Sequence, residues 1–136
     1  MIIKEIMSPA VDTVTKDDDI FKTALIMKNR NVGAVPVMDG GQVCGIVTDR
    51  DIVLRCIASD KDIDECKVSD IMTGDTTTAE SNWTVNEALK VMSQKQIRRL
   101  PVTENGKLTG MISIGDIARQ RRSAEVAGAL SEISMP

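Results

Sequence analysis

The chain has 136 residues, 42% of them apolar and 27% charged, and a formal net charge of −3. That is enough for one compact domain with a substantial core, and the charge argues against a diffuse electrostatic grip on nucleic acid or an anionic membrane. No histidine is present, and Cys44, Cys56 and Cys66 form no Cys-x-x-Cys pair; the usual general base and the usual zinc ligands are missing, so neither an enzyme nor a metal site is expected.

In chain order, Met1 to Glu5 carries no apolar signal region. No apolar run approaches the roughly 18 residues of a membrane span, which points to a cytoplasmic protein with free thiols. Ile3–Met7 reads as a turn of helix and Thr13-Val14 as a short strand. A helix from Ile20 follows the Asp17-Asp18-Asp19 run, with Ala24, Ile26 and Met27 on its apolar face. Ala34 to Val37 is then a strand. Its Pro36 predicts an edge or strand-start position, because proline cannot donate to a ladder. Asp39-Gly40-Gly41 signals a hairpin turn, and Gly45-Ile46-Val47-Thr48 is the return strand, running into a helix at Asp49-Arg50-Asp51-Ile52.

After a polar stretch at 59–66 the same series begins again. Positions 6–53 align with 71–118 at a constant offset of 65, without a gap, and ten of these 48 positions are identical. They include Pro36/Pro101, Val37/Val102, Gly41/Gly106, Gly45/Gly110, Asp51/Asp116 and Ile52/Ile117. A second helix from Val85 opens on Thr84-x-x-Glu87, which has capping-box spacing. The expected fold is α+β: two β-α-β-β-α repeats packed about a pseudo-two-fold axis, since neither half of about 60 residues buries its sheet face well alone. The organisation is 1–58 for repeat one, 59–66 for a linker, 67–122 for repeat two and 123–136 for an amphipathic helical tail. That tail either packs back on its own domain or meets another copy.

The chemistry concentrates where each return strand meets its helix. Thr48-x-x-Asp51 and Ser113-x-x-Asp116 fit two roles. One is a capping box. The other is a ligand site, with hydroxyl and free N–H groups on a phosphate and the carboxylate on ribose hydroxyls. Arg98 and Arg99 precede the Leu100-Pro101-Val102 strand where repeat one has Gly33 and Ala34, and arginine forks suit phosphate. Arg50 can reach a phosphate or simply solvate the helix. Arg119, Arg121 and Arg122, late in the last helix, are explained by dipole complementation. The repeated methionines read as core. The two clefts are therefore expected to differ, one taking a charged phosphate tail.

Val-Pro-Val, the Gly-Gly turn and Gly-Ile-Val-Thr-x-x-Asp-Ile, repeated in order over residues 1–122, resemble the CBS domain, named for cystathionine β-synthase and normally found as tandem pairs. Thr48 to Val53 and Gln96 to Val102 look like small stand-alone bacterial proteins of that kind. The resemblance implies a non-enzymatic, energy-sensing regulatory module with adenosine-containing ligands such as AMP, ATP, NADH or S-adenosylmethionine, none tightly bound. It also implies a homodimer and an effector protein of unknown identity. It carries ligand contacts to Thr48, Asp51, Ser113 and Asp116, and to a basic residue near Arg98 and Arg99. The adenine slot falls near Thr13 and Thr78, for which plain burial is an equal explanation. The alternative is a constitutive dimeric scaffold with unoccupied clefts.

Overall fold

The computed structural model describes residues 1–9, 11–74 and 76–121. The expected tail helix at 123–136 lies outside them. Repeat one holds strand β1 (Val14–Thr15), helix α1 (Ile20–Arg30), strands β2 (Ala34–Asp39) and β3 (Gln42–Thr48), and helix α2 (Asp49–Asp51), which continues into a π-helix at Ile52–Ile57. Repeat two holds α3 (Val68–Ile71), β4 (Ala79–Glu80), α4 (Val85–Lys95), β5 (Arg99–Glu104), β6 (Lys107–Ser113) and α5, helical over 114–121. Each repeat forms its own three-stranded sheet, ordered β1-β2-β3 and β4-β5-β6, with a parallel first pair and an antiparallel second pair. The α+β fold read from the repeat is the observed one.

Local chemistry sets the element ends. α1 starts where the Asp19 carboxylate accepts from Lys22 N at 2.7 Å and stops at Asn31, which adopts φ 55°. α4 starts on the capping box that its spacing predicts: Glu87 N donates to Thr84 Oγ1 and Thr84 N donates to Glu87 Oε2, both at 3.1 Å. The prolines are subtler. β2 and β5 are central strands, not edges, but β1 pairs only with Val37 and Met38, and β4 only with Val102 and Thr103. At Pro36 and Pro101 the sheet is locally an edge, so no ladder bond is lost.

The repeats exchange their first segments. Ile3, on the 3-10 turn Ile3–Glu5, is buried in the core of repeat two with Ala79, Ala88, Met92, Leu100, Val102, Ile112 and Ile117. Conversely, Val68 and Ile71 from α3 are buried in the core of repeat one with Val14, Ile20, Val35, Val37, Val47 and Ile52. Each crossing segment is tied by a pair of backbone bonds to the return strand of the other repeat. Ile46 N donates to Thr73 O at 3.0 Å and Thr73 N to Ile46 O at 2.9 Å, while Ser8 and Met111 exchange bonds at 2.9 and 3.0 Å. That crossing explains the repeated Gly45 and Gly110. A Cβ on Gly45 would sit 2.8 Å from Thr73 O, and one on Gly110 would sit 2.7 Å from Ser8 O. Only glycine lets the two backbones approach.

The two repeats differ after their junction. Repeat two continues as ordinary α-helix, whereas repeat one widens into the π-helix, with Ala58 N donating to Val53 O at 2.8 Å. The polar linker is held by apolar anchors: Ile63 packs on the repeat-one core, and Cys66 is buried there beside Cys56.

Candidate functional site: two clefts at the repeat seam

At each junction the sequence allowed a helix cap or a ligand site, and the cap is formed in both copies. Asp51 N donates to Thr48 Oγ1 at 3.1 Å and Thr48 N to Asp51 Oδ2 at 2.9 Å. In the second copy Asp116 N donates to Ser113 Oγ and Ser113 N to Asp116 Oδ2, both at 3.0 Å. Each cap uses only half of its groups. A hydroxyl that accepts one bond still has its own proton to donate, and a carboxylate with Oδ2 engaged still offers Oδ1. Asp51 Oδ1 lies 3.7 Å from Arg55 Nε, and Asp116 Oδ1 is ion-paired with Arg119 Nη2. Both carboxylates are largely enclosed, at 13% and 9% side-chain exposure. Arg55 also donates to Ile71 O at 3.2 Å, linking the Asp51 junction to the segment that crosses from repeat two.

Each junction opens into a cleft walled by the other repeat. The first, about 360 Å³, brings Ile46, Thr48 and Asp51 of repeat one against Thr73, Gly74, Thr76, Thr77, Lys95, Gln96, Ile97, Arg98 and Arg99 of repeat two. The second, about 280 Å³, sets Met111, Ser113, Asp116 and Arg119 against Ser8, Val11, Asp12, Ile26 and residues 30–34. Apart from Gly74 in the first and Ile26 and Arg119 in the second, these linings are the same positions shifted by 65, so the pseudo-symmetry of the sequence becomes a pseudo-symmetry of cavities.

Their charges do not match. In the second cleft Arg30 Nε donates to Asp12 Oδ2 at 2.6 Å, and Arg119 pairs with Asp116. Every cation there has an acid, and the wall is close to neutral. In the first cleft Lys95 replaces Arg30, but Thr77 replaces Asp12, and Arg98 and Arg99 replace Gly33 and Ala34. Among the described residues no acid lies within 4.0 Å of Lys95, Arg98 or Arg99. Three cations facing one carboxylate that is shared with Arg55 leave a positive wall.

Of the residues singled out by sequence, Thr48, Asp51, Arg98 and Arg99 come together in the first cleft, and Ser113 and Asp116 in the second. Arg50 is exposed and lies outside both, on a shallow surface with Asp49, Val53 and Leu54. Thr13 and Thr78 are half-buried; the lining comes instead from neighbours in the same segments, Val11 and Asp12 in one cleft, Thr76 and Thr77 in the other. Lys95, Arg30, Asp12, Arg55 and Arg119 had not been singled out as site residues. Lys95 and Arg30 sit in last helical turns, where a cation is already accounted for by the helix dipole, and only their position across the seam gives them another role.

Two small α+β repeats that exchange their opening segments and leave two equivalent clefts at the seam define a class of paired-repeat modules. The chain belongs to the CBS-domain family, whose model matches residues 3–58 and 68–123. It is 44% identical over 135 residues to the uncharacterized protein YlbB of Bacillus subtilis, a match that covers 97% of this chain and 90% of that one. Among solved structures it is similar to the CBS-domain containing protein ATU1752 from Agrobacterium tumefaciens, at TM-score 0.79 and 33% identity over 89% of this chain and 99% of that one. It is also similar to the CBS domain pair of protein MJ0100, solved in complex with 5′-methylthioadenosine and S-adenosyl-L-methionine, at TM-score 0.76 and 28% identity over 88% of this chain and 98% of that one. CBS-domain pairs are commonly regulatory ligand-binding modules. Among the described residues no helix is long and apolar enough to cross a membrane.

Proposed function

We propose that this protein is a cytoplasmic, non-enzymatic sensor of adenine nucleotides, built from units at 1–58 and 67–122 joined by the linker 59–66. The observation that carries this is the first cleft, where Thr48 and Asp51 of one repeat face Lys95, Arg98 and Arg99 of the other. In this reading Asp51 takes the ribose, the Thr48 hydroxyl and the adjacent helix start hold phosphate, and the arginines neutralise it. The second cleft, with its cations already paired, takes a less charged adenosine compound. The bound structure of the MJ0100 pair is consistent with such ligands. Because each cleft is walled by both repeats, a ligand bridges them and stiffens the pair. That shifts the population of surfaces offered to an effector protein. Isothermal titration of AMP, ATP, NADH and S-adenosylmethionine against wild type, Asp51→Ala and Asp116→Ala tests this. Asp51→Ala is expected to abolish the phosphate-dependent binding and Asp116→Ala the other. Absence of binding to wild type at millimolar ligand sinks it.

A second reading has an observation of its own. The helices over the repeat-one sheet expose Phe21, Leu25, Val53, Leu54 and Ile57, each between 39% and 60% exposed. The equivalent described positions of repeat two are Asn86, Lys90, Ala118 and Arg119. An apolar face flanked by both charge signs, Asp49 beside Arg50 and Asp18 beside Lys22, is self-complementary about a two-fold axis. It supports a homodimer in either reading, and a constitutive scaffold if the clefts stay empty. A stable dimer whose melting temperature no nucleotide alters favours the scaffold.

A further inference from the structure

Gly33 has no unusual φ, so its backbone does not require glycine; the space beside it is what matters. A Cβ there would lie 3.1 Å from Asp49 Oδ2 and 3.2 Å from Arg99 Nη2. The two side chains thus converge on one point from opposite repeats. Asp49 is held there from behind: its backbone N donates to Gly33 O at 3.0 Å, and its Oδ1 accepts from Arg50 N at 2.8 Å, which leaves Oδ2 directed at the gap. Arg99 arrives from the first cleft, which it lines, whereas Gly33 lines the second. The pair has not closed, since no Arg99–Asp49 contact falls within 4.0 Å. At the pseudo-equivalent place the three positions are Arg98 for Gly33, Ala34 for Arg99 and Ile114 for Asp49. Acid, gap and arginine occur together at only one of the two pseudo-equivalent places.

We infer that Asp49 sets the ligand-charge specificity of the first cleft by competing with bound phosphate for Arg99. With no anion in the cleft, the guanidinium rests in the Gly33 gap under the pull of Asp49. A phosphate group draws it into the cleft, and the more negative the ligand, the more completely Asp49 is outbid. The acid therefore weakens binding generally, and it holds back polyphosphate tails more than monophosphate ones, because the ligand that draws Arg99 furthest forfeits most of its attraction to Asp49. The inference rests on the nucleotide reading, and Asp49 acts through Arg99 without touching ligand.

The test is a double-mutant cycle by isothermal titration with AMP and with ATP, on wild type, Asp49→Asn, Arg99→Gln and the double variant, with thermal melts of all four without nucleotide. Asp49→Asn is expected to tighten ATP by roughly threefold and AMP by less, because one nearby charge in a hydrated site has an effect of that order. Arg99→Gln weakens ATP more than AMP, and in that background Asp49→Asn no longer changes either affinity. Unchanged affinities in Asp49→Asn, or an equal tightening with and without Arg99, overturn the inference. If wild type binds neither nucleotide, the nucleotide reading fails, and the melts decide the link. Non-additive stability losses support Asp49 as the resting partner of Arg99, and additive ones overturn it.

Discussion

Gly45→Ala places a methyl group where the segment crossing from repeat two runs over β3. The new carbon would sit 2.8 Å from Thr73 O and 3.0 Å from Met72 Sδ. Met72 can swing its sulfur aside, but the carbonyl is backbone, fixed by the two Ile46–Thr73 hydrogen bonds of 3.0 and 2.9 Å. Relief requires the crossing segment to move out by several tenths of an ångström. That weakens both bonds, at about 1 kcal/mol each, and loosens Val68 and Ile71 in the repeat-one core, an overpacking cost of about 1–3 kcal/mol. The expected loss is about 3–5 kcal/mol, which lowers Tm by about 10–15 °C for a chain of this length. Gly110→Ala meets Ser8 O at 2.7 Å and is expected to cost a similar amount. Gly74→Ala, with nothing within 4 Å of its added carbon, is the control and stays within about 0.5 kcal/mol of wild type. Thermal melts by circular dichroism, checked by urea unfolding, measure all three. A Gly45→Ala protein melting within about 2 °C of wild type refutes the close crossing, and with it the exchange of segments.

Thr48→Ala and Ser113→Ala each remove a cap hydroxyl that accepts a backbone N–H at about 3 Å, so each should cost about 1 kcal/mol in urea unfolding; a neutral result would mean these hydroxyls do not cap. Asp18 accepts from Thr15 N at 2.8 Å and faces Lys22 Nζ at 3.2 Å, and the backbone bond chiefly, then Lys22, holds its carboxyl below the ordinary value of 3.8. A lowered folded-state value means that its contribution is present above the unfolded value and lost as pH falls through the folded one. Asp18→Asn should therefore destabilise at pH 7 and converge with wild type toward pH 2, as pH-resolved melts will read out. Burial, and then the neighbouring Cys56, push the Cys66 thiol up to about 11. Its contribution is thus fully present below the unfolded value of 9.0 and fades as pH rises through about 11. With Cys56 and Cys66 buried and Cys44 only half-buried, thiol titration at pH 8 should count one fast thiol in the native protein and three in denaturant; a fast count of three refutes the packing at the end of the π-helix.

Much of the fold is legible in the chain because its signals are local and doubled. The 65-residue offset fixes two equivalent units. Asp19 and Thr84 announce helix starts, and Gly40-Gly41 and Asn105-Gly106 announce hairpins, because capping and positive φ depend on the residues themselves and their immediate neighbours. Where a local signal has two uses, the chain alone leaves both open. Thr48-x-x-Asp51 spells a cap and a ligand contact in the same letters. The structure forms the cap through Asp51 Oδ2, and leaves the Thr48 hydroxyl proton for another acceptor and Oδ1 facing Arg55.

Pairings between distant residues are the part that only the tertiary structure decides. Nothing local says that Ile3 belongs to the core of repeat two and Ile71 to that of repeat one, since an apolar residue on a short turn suits either core equally. The same holds for charge. Arg98 and Arg99 were visible, but their meeting with Asp51 across the seam, and with Asp49 at the gap left by Gly33, follows from how two sheets dock about an axis. Arg30 and Lys95 occupy equivalent positions in the repeat, and what separates them is an opposing residue, Asp12 against Thr77, contributed by a different segment. Sequence therefore determined the unit and its duplication. Docking determined which cleft is positive, because electrostatic character belongs to facing walls and not to a single segment.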